Sequence, residues 1–279
     1  LRYDERKEGG DNMTDEEKSE YNKILNDPKN FPSDIANKAQ KFLPKTLYRY
    51  RSFDTTYWED EIFKGKIYLA QATKLNDPMD CLIYFDGSLM PPNCEFINRY
   101  KKIYNCTYED IIYKLSDESN LRWIFESFRS DVRTASFCEN NQSLLMWSHY
   151  ANVHNGFCIK YNTEKFKPIM LGILYPIIYS SVKPDVFNEL RDCTENAIVK
   201  ALVNKAMEWE YEKEWRAVNK ADKQYEFFQL DAIEAIYLGA RSKEEDKEKV
   251  VKWAKGKSKK VFQMEVDLRE YKLIARKII

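Results

Sequence analysis

The sequence predicts an α+β fold, with mixed central sheets and a helical insertion at about residues 93–131. Three observations point there. Runs of alternating apolar and polar residues recur at 46–52, 133–138, 157–161, 233–238 and 261–266, as half-buried strands require. Helical period dominates 93–131, where Phe96, Tyr100, Ile103 and Tyr104, then Ile111, Ile112 and Leu115, then Leu121, Ile124, Phe125 and Phe128 form apolar stripes. A chain of 279 residues with 43% hydrophobic content is large enough for one sizeable core, and no internal repeat or linker divides residues 46–279.

Residues 15–25 carry a weak apolar edge at helical spacing and are closed by Pro28 and Pro32. Residues 1–45 therefore read as an extension and helical arm that packs on the surface or stays mobile. Lys7-Glu8-Gly9-Gly10 ahead of Met13 is what a purine-rich ribosome-binding sequence gives when translated, so a native start at Met13 is expected. A short helix at 33–42 leads into TLYRYRS, residues 46–52, a strand with Arg49 and Arg51 on one face. Paired guanidinium groups are costly to bury unless they meet carboxylates or phosphates, so this face is either solvated or binds an anion.

Residues 53–63 read as a helix ended by Gly65, and KIYLA, residues 66–70, as a strand. TKLNDPMD, residues 73–80, is a turn: Asn76 and Asp77 can bond their own backbone and Pro78 blocks continuation, which leaves Asp80 without a turn role. The strand RTASFC, residues 133–138, carries Ser136. ILYPIIY, residues 173–179, is an apolar strand whose Pro176 marks an edge or bulge. Residues 185–209 read as the longest helix and deliver Glu210, Glu212 and Glu214 at alternate positions, on one side if that segment is extended. Strands at 233–238, 261–266 and 271–275 enclose a helix at 242–255, and KGKSKK, residues 255–260, reads as its solvated end.

Charge excludes some function classes. With 45 basic and 45 acidic residues the chain has no net charge to draw it to nucleic acid or to an anionic membrane; only a local basic patch could do that. The six cysteines never form a Cys-x-x-Cys pair, which suggests neither a zinc site nor a disulfide scaffold but reduced thiols. No apolar run is long enough to span a bilayer and the polar start has no signal-peptide core, so a cytoplasmic protein without membrane contact is expected. Composition carries no signal for oligomeric state.

Proton-handling chemistry concentrates in SLLMWSHYANVHNGFCIKY, residues 143–161, which holds both histidines, His149 and His154. Ser143 is placed to cap a short helix through Ala151, Asn155-Gly156 to turn the chain, and Phe157, Ile159 and Tyr161 to alternate in a strand. Trp147, Tyr150 and the histidines are candidates for a site at that helix end. The plainer alternative keeps the aromatic groups in the core and gives the histidines to loop hydrogen bonds.

LYRYRS, the NDPMD turn, LMWSHYANVHNGFCIKY and the late YEKEWRAV together resemble, in order and spacing, the bacterial family of domain of unknown function 2971, over about residues 46–275. That family assigns no chemistry. A weaker likeness is to ADP-ribosyltransferase-like folds, which carry an Arg or His on a first strand, a Ser or Tyr on a second, and a catalytic Glu, often as Glu-x-Glu, opening a later strand. Arg49 resembles the first element, Ser136 or Tyr150 the second, and Glu212-Lys213-Glu214 the third; the Ser-Thr-Ser triplet of the second element has no counterpart here.

What this second resemblance implies is an enzyme that takes NAD as substrate, a transferase or glycohydrolase, acting as a toxin or anti-phage defence effector on a protein, nucleic-acid or NAD target. Glu214 would hold the ribose hydroxyl and face the developing cation, and Glu212 would orient the acceptor. Arg49 or Arg51 would meet the pyrophosphate. Trp147 or Tyr150 would stack on nicotinamide, His149 and His154 would donate hydrogen bonds, and Asn76, Asp80, Ser136 and Arg216 complete the expected site. Two alternatives stand beside it. One is a non-catalytic module that binds a nucleotide or a protein, with Glu214 paired to Arg216 or Arg51. The other is a phosphodiesterase whose metal is held by Asp77, Asp80 and a histidine.

Overall fold

The computed structural model describes residues 13–192, 195–220 and 222–279. The expected start at Met13 turns on residues 1–12, which lie outside the described residues, as does Cys193; the other five cysteines are free thiols.

Helix α1 (Asp15–Asn26) opens with a capping box, in which Thr14 accepts from the Glu17 N–H and the Glu17 carboxylate accepts from the Thr14 N–H. Helix α2 (Pro32–Ala39) starts on proline, which suits a first-turn position. The arm expected on the surface belongs to the core instead: Tyr21, Leu25, Ile35 and Ala36 are buried in the same cluster as the sheet. Their spacing is too sparse to advertise this because α1 needs only two large side chains to dock.

Strand β1 (Thr46–Arg51) follows, then α3 (Tyr57–Lys64), which ends on Gly65 in the left-handed region, φ 65°. A Cβ there would also stand 2.5 Å from the Phe228 carbonyl oxygen, so only glycine fits. The single strand expected at 66–70 is two, β2 (Lys66–Tyr68) and β3 (Ala70–Gln71), which join different sheets. Helices α4 (Glu95–Tyr104), α5 (Tyr108–Leu115) and α6 (Glu118–Ser130) occupy the expected helical stretch and lead into β4 (Val132–Cys138), α7 (Leu144–Tyr150) and β5 (Phe157–Asn162).

Beyond a short α8 (Pro168–Leu171), the apolar run holding Pro176 splits into β6 (Leu174–Pro176), at the end of the main sheet, and β7 (Ile178–Ser180). The long helix expected at 185–209 is not formed. In its place stand α9 (Phe187–Arg191), α10 (Asn196–Val203), β8 (Asn204–Ala206), paired in parallel with β7, and a 3-10 segment, Met207–Glu212. The Asn204 amide bonds back to the Lys200 carbonyl at 2.7 Å and ends α10, and pairing with β7 takes over the next three residues. Then come β9 (Glu214–Lys220), β10 (Tyr225–Phe227), β11 (Ile233–Leu238), α11 (Glu244–Gly256), β12 (Lys260–Val266) and β13 (Leu273–Lys277).

The main sheet has nine strands in the order β13-β12-β11-β5-β1-β4-β9-β6, with β3 on the side of β4; β11 and β12 run parallel and the other neighbours antiparallel. Strand alternation divides its faces cleanly. Leu47, Ile159, Ile236 and Leu238 bury against α1, α2, α3 and α11, whereas Tyr48, Tyr50, Cys158 and Tyr237 meet Met146 and Trp147 of α7 on the other face. The inserted helices keep a separate core, where Ile97, Ile111 and Leu115 pack with Val186, Leu190 and Ala197. Mixed α and β architecture with one large mixed sheet is thus the observed fold class.

Candidate functional site

β1 and β4 are paired at Tyr48 and Cys138, and then part. Farther along, β4 gives the same edge to β3, at Ala70 with Thr134 and Gln71 with Arg133. The fork between β1 and β4 opens a cavity of about 370 Å³, walled by both strands, by the turn after β3, by Tyr150 of α7 and by side chains from β8 and β9. That volume lies in the range of small-molecule sites, roughly 300–1,000 Å³.

One end of the cavity is cationic. Arg49 and Arg51, two residues apart on β1, both turn to Glu61 of α3: Arg49 Nε stands 3.0 Å from Oε1 and Arg51 Nε 3.3 Å from Oε2. Glu61 is fully buried and also accepts from the Tyr161 hydroxyl at 2.7 Å. Two guanidinium groups therefore share one carboxylate, which leaves one positive charge over. Burial, and after it the neighbouring Arg49 charge, pulls the Arg51 guanidinium below its ordinary value, with Glu61 opposing. Beside this end Tyr57 and Tyr68 lie stacked, ring centroids 4.1 Å apart and planes within 7°.

The other end is acidic and denser. Arg216 of β9 donates through Nε and Nη2 to both oxygens of Glu214, at 2.8 Å each, and through Nη1 and Nη2 to both oxygens of Asp80, at 2.9 Å each. Nη1 also donates to the Leu202 carbonyl at 2.9 Å, so all five of its N–H groups are used. Lys205 of β8 stands between Glu212, which it touches directly, Glu214 at 3.2 Å and Asp80 at 3.8 Å. Glu212 accepts from the Tyr150 hydroxyl at 2.5 Å. Three carboxylates face two cations here, which leaves one negative charge over.

The carboxylates differ in character. Burial pushes Glu214 up, but Arg216 and Lys205, helped by a Ser136 hydrogen bond, hold it well below the usual carboxylate range. Glu212 goes the other way: burial raises it, Lys205 opposes, and the Glu214 charge raises it further. Tyr150 is raised strongly, by burial first and then by Glu212. Ser136 lies between the two ends, its carbonyl accepting from Arg49 at 3.4 Å while its side chain helps to lower Glu214.

The convergence of Glu212 and Glu214 does not come from strand alternation. Glu210 and Glu212 are in the 3-10 segment, and Lys213, left-handed at φ 47°, reverses the chain so that Glu214 opens β9 beside Glu212. Glu210 is left outside on the surface, 3.3 Å from Lys18.

Asn76 lines the cavity and reaches the Tyr150 hydroxyl at 3.4 Å. Of the central motif, Met146 and Tyr150 line it too, whereas Trp147, His149 and His154 do not. Trp147 is fully buried and its indole N–H donates to the Asn141 carbonyl at 2.7 Å, so no ring face is left for a ligand. On α7, Met146 and Tyr150 share the face toward the cavity, four residues apart, while His149 turns outward against Trp209 and Tyr211, with centroids 6.2 and 6.3 Å away. His154 stacks on Trp147 and bonds Ser148 Oγ at 3.2 Å; burial, then Arg241, lowers its basicity.

The histidine-bearing turn is a fastening. Asn152, Val153 and His154 all have positive φ, 46°, 52° and 67°, which is costly for a β-branched valine. A Cβ on Gly156 would lie 2.0 Å from the Arg51 carbonyl oxygen, so the glycine lets the turn close onto the end of β1. The strained turn thereby fixes the strand that carries the two arginines.

Asp77 accepts from the Trp209 indole at 2.6 Å and from the Met79 N–H, while Asp80 is committed to Arg216. Among the described residues no group of three or more His, Cys, Asp and Glu side chains is arranged to hold a metal, so the alternative of a metal held by Asp77, Asp80 and a histidine has no support there.

Residues 146–217 match the family model described as protein of unknown function (DUF2971). The matched stretch runs from α7 into β9, so Tyr150, Lys205, Glu212, Glu214 and Arg216 fall inside it, while Arg49, Arg51, Glu61 and Asp80 do not. No curated protein and no solved structure matches the chain.

Two residues that sequence reading missed complete the site. Glu61 sits with Trp58 and Ile62 on the buried face of α3, and Lys205 continues the spacing Ile198, Ala201, Leu202 from α10. In both cases the signal was a charge on an apolar helical stripe, a position where a side chain must have a buried partner.

Proposed function

We propose that the forked cavity is an active site for cleavage or transfer at the glycosidic bond of a dinucleotide, NAD, with Glu212 as the reacting carboxylate. The observation that carries this reading is the opposed charge at the two ends: one uncompensated guanidinium at the β1 end, one uncompensated carboxylate at the β9 end. NAD has the matching pattern, an anionic pyrophosphate and a cationic nicotinamide ring. The stacked pair Tyr57 and Tyr68 offers a flat apolar surface beside the arginines, suited to a base.

Breaking the ribose to nicotinamide bond sends its electron pair to the ring, which leaves neutral, and puts positive charge on the ribosyl carbon until water or an acceptor adds there and loses a proton. A fixed carboxylate in a poorly solvated cavity lowers the energy of that cation. Glu214 is the wrong group for this. Both its oxygens are held by the Arg216 guanidinium, so it positions Lys205 and Arg216 and leaves Glu212, whose oxygens take one bond each from Tyr150 and Lys205, to face the substrate.

The test is incubation of the full chain with NAD labelled in the nicotinamide ring. Release of nicotinamide is expected from the wild type, and a fall of at least ~100-fold in Glu212→Gln. A rise in melting temperature with NAD but no release from the folded wild type would leave a binding module. Neither release nor a thermal shift would overturn both readings.

A further inference from the structure

A second basic cavity lies on the same sheet, away from the fork. Its floor is a row across three strands: Lys160 of β5 is paired with Ala235 of β11, and Ala235 with Lys260 of β12. Directly paired residues point to one face, so two lysines flank an alanine and a trough runs between them, roughly 10 Å across at two strand spacings. The next row, Cys158, Tyr237 and Phe262, closes one side with two stacked rings whose centroids are 5.0 Å apart.

The other side is closed by two more lysines. Lys165, just after β5, and Lys259, just before β12, both donate to the carbonyl oxygen of Asp231, at 3.4 and 3.2 Å. Two ammonium groups so placed repel each other, and burial followed by the Lys165 charge lowers the basicity of Lys259. Ser258, left-handed at φ 52°, turns the chain after α11 so that the Lys259 N–H bonds the Ala254 carbonyl at 2.9 Å and the lysine returns over the sheet. The expected solvated helix end is therefore only partly that, since Lys259 and Lys260 line a cavity of about 340 Å³. Four lysines meet two carboxylates in its lining, Asp231 and Glu234, the latter 3.6 Å from Lys160.

We propose that this trough is a binding site for a compact polyphosphate, the chemistry shared by inorganic pyrophosphate, tripolyphosphate and the phosphate chain of a nucleoside triphosphate. With the lysine-bearing strands roughly 10 Å apart, a chain of two or three phosphoryl groups meets lysines of both walls at once and relieves the repulsion between Lys165 and Lys259, where a single phosphate makes fewer of these contacts. The site is independent of the forked cavity and of the reaction proposed there.

Calorimetric titration of the full chain at low salt is expected to give one saturable site for tripolyphosphate, with at least tenfold weaker binding of orthophosphate. Binding weakens as salt is added. The double variant Lys165→Ala, Lys259→Ala is expected to bind tripolyphosphate at least tenfold more weakly. In the wild type, tripolyphosphate is expected to protect Lys165 and Lys259 from acetylation, read by mass spectrometry, and to leave Lys74 of the forked cavity reactive. A parallel titration with a nucleoside triphosphate separates the sources: gain over tripolyphosphate assigns the nucleotide, equality the inorganic chain. No binding, unchanged affinity in the double variant, or protection of Lys74 alone overturns the proposal.

Discussion

The two ends of the forked cavity are built from similar groups in opposite proportion. At the β1 end Arg49 and Arg51 divide one carboxylate, and at the β9 end Arg216 and Lys205 divide three. The difference separates scaffold from function. Arg216 has every N–H satisfied by groups that are themselves buried, and a side chain so completely engaged has nothing left for a ligand. Arg51 has a single ionic partner, Glu61, and Glu212 takes one bond on each oxygen, from Tyr150 and from Lys205; both border the cavity and have the ionisation shifted against their charged form. A charge held in that condition gains most from a ligand of opposite sign.

The largest effect that tests the contrast is on stability. Arg216→Met leaves Asp80, Glu212 and Glu214 with Lys205 alone in a buried setting, and a loss of about 3–5 kcal/mol is expected in denaturant unfolding. Arg51→Met removes the surplus charge and leaves Arg49 and Glu61 as a neutral pair, so the same measurement is expected to move by about 1 kcal/mol or less. Equal losses in the two variants would erase the distinction between the ends.

A smaller effect, but one with a sign, separates the two glutamates. The folded state holds Glu214 below its ordinary value of 4.5, so its ionised form contributes stability above that pH, and the contribution is lost as pH falls. Glu212 is raised above 4.5, so the folded state keeps a proton that the unfolded chain has released, and stability falls as pH rises through the raised value. Unfolding of Glu214→Gln and Glu212→Gln between pH 4 and 7, roughly the span in which carboxylates titrate, is expected to diverge. The deficit of Glu214→Gln grows toward pH 7, and Glu212→Gln gains on the wild type over the same interval, ending level with it or about 1 kcal/mol more stable. Parallel curves would remove the basis for assigning the reaction to Glu212 and the positioning to Glu214.

How much of this could be read from the chain itself depended on whether the signal was local. Alternation in TLYRYRS gave β1 and put Arg49 and Arg51 on one face, and the Ser143 cap gave α7, because strand and helix periods are written in neighbouring residues. The stretch at 185–209 failed for the same reason. Its apolar period is helical through α10, but pairing with β7, some 25 residues earlier, decides the state of 204–206. The partners of the site are also nonlocal. Glu61 and Lys205 were legible only as misplaced charges on apolar stripes, and nothing in that spacing says that one meets Arg49 and the other Glu212. The rarity of the two histidines is no guide to where their side chains point. Here one ring rests against the half-buried Trp209 and Tyr211 and the other braces a turn.

The smallest expected effect follows from that last point and bounds the site. His149 is exposed, on the face of α7 turned away from Tyr150's cavity contact, with the rings of Tyr150, Trp209 and Tyr211 beside it. Its truncation removes no buried hydrogen bond and leaves no buried charge unpaired, so His149→Ala is expected to change stability by no more than about 0.5 kcal/mol. NAD turnover should stay within about twofold, since a group that acts through proton transfer contributes roughly 100-fold or more. Trp209, however, donates to Asp77 in the turn that also carries Asn76 and Asp80, so His149 touches the cavity's frame at one remove. A large loss of turnover in His149→Ala with stability intact would mean that this frame must move during the reaction, and would extend the site from the fork to the outer face of α7.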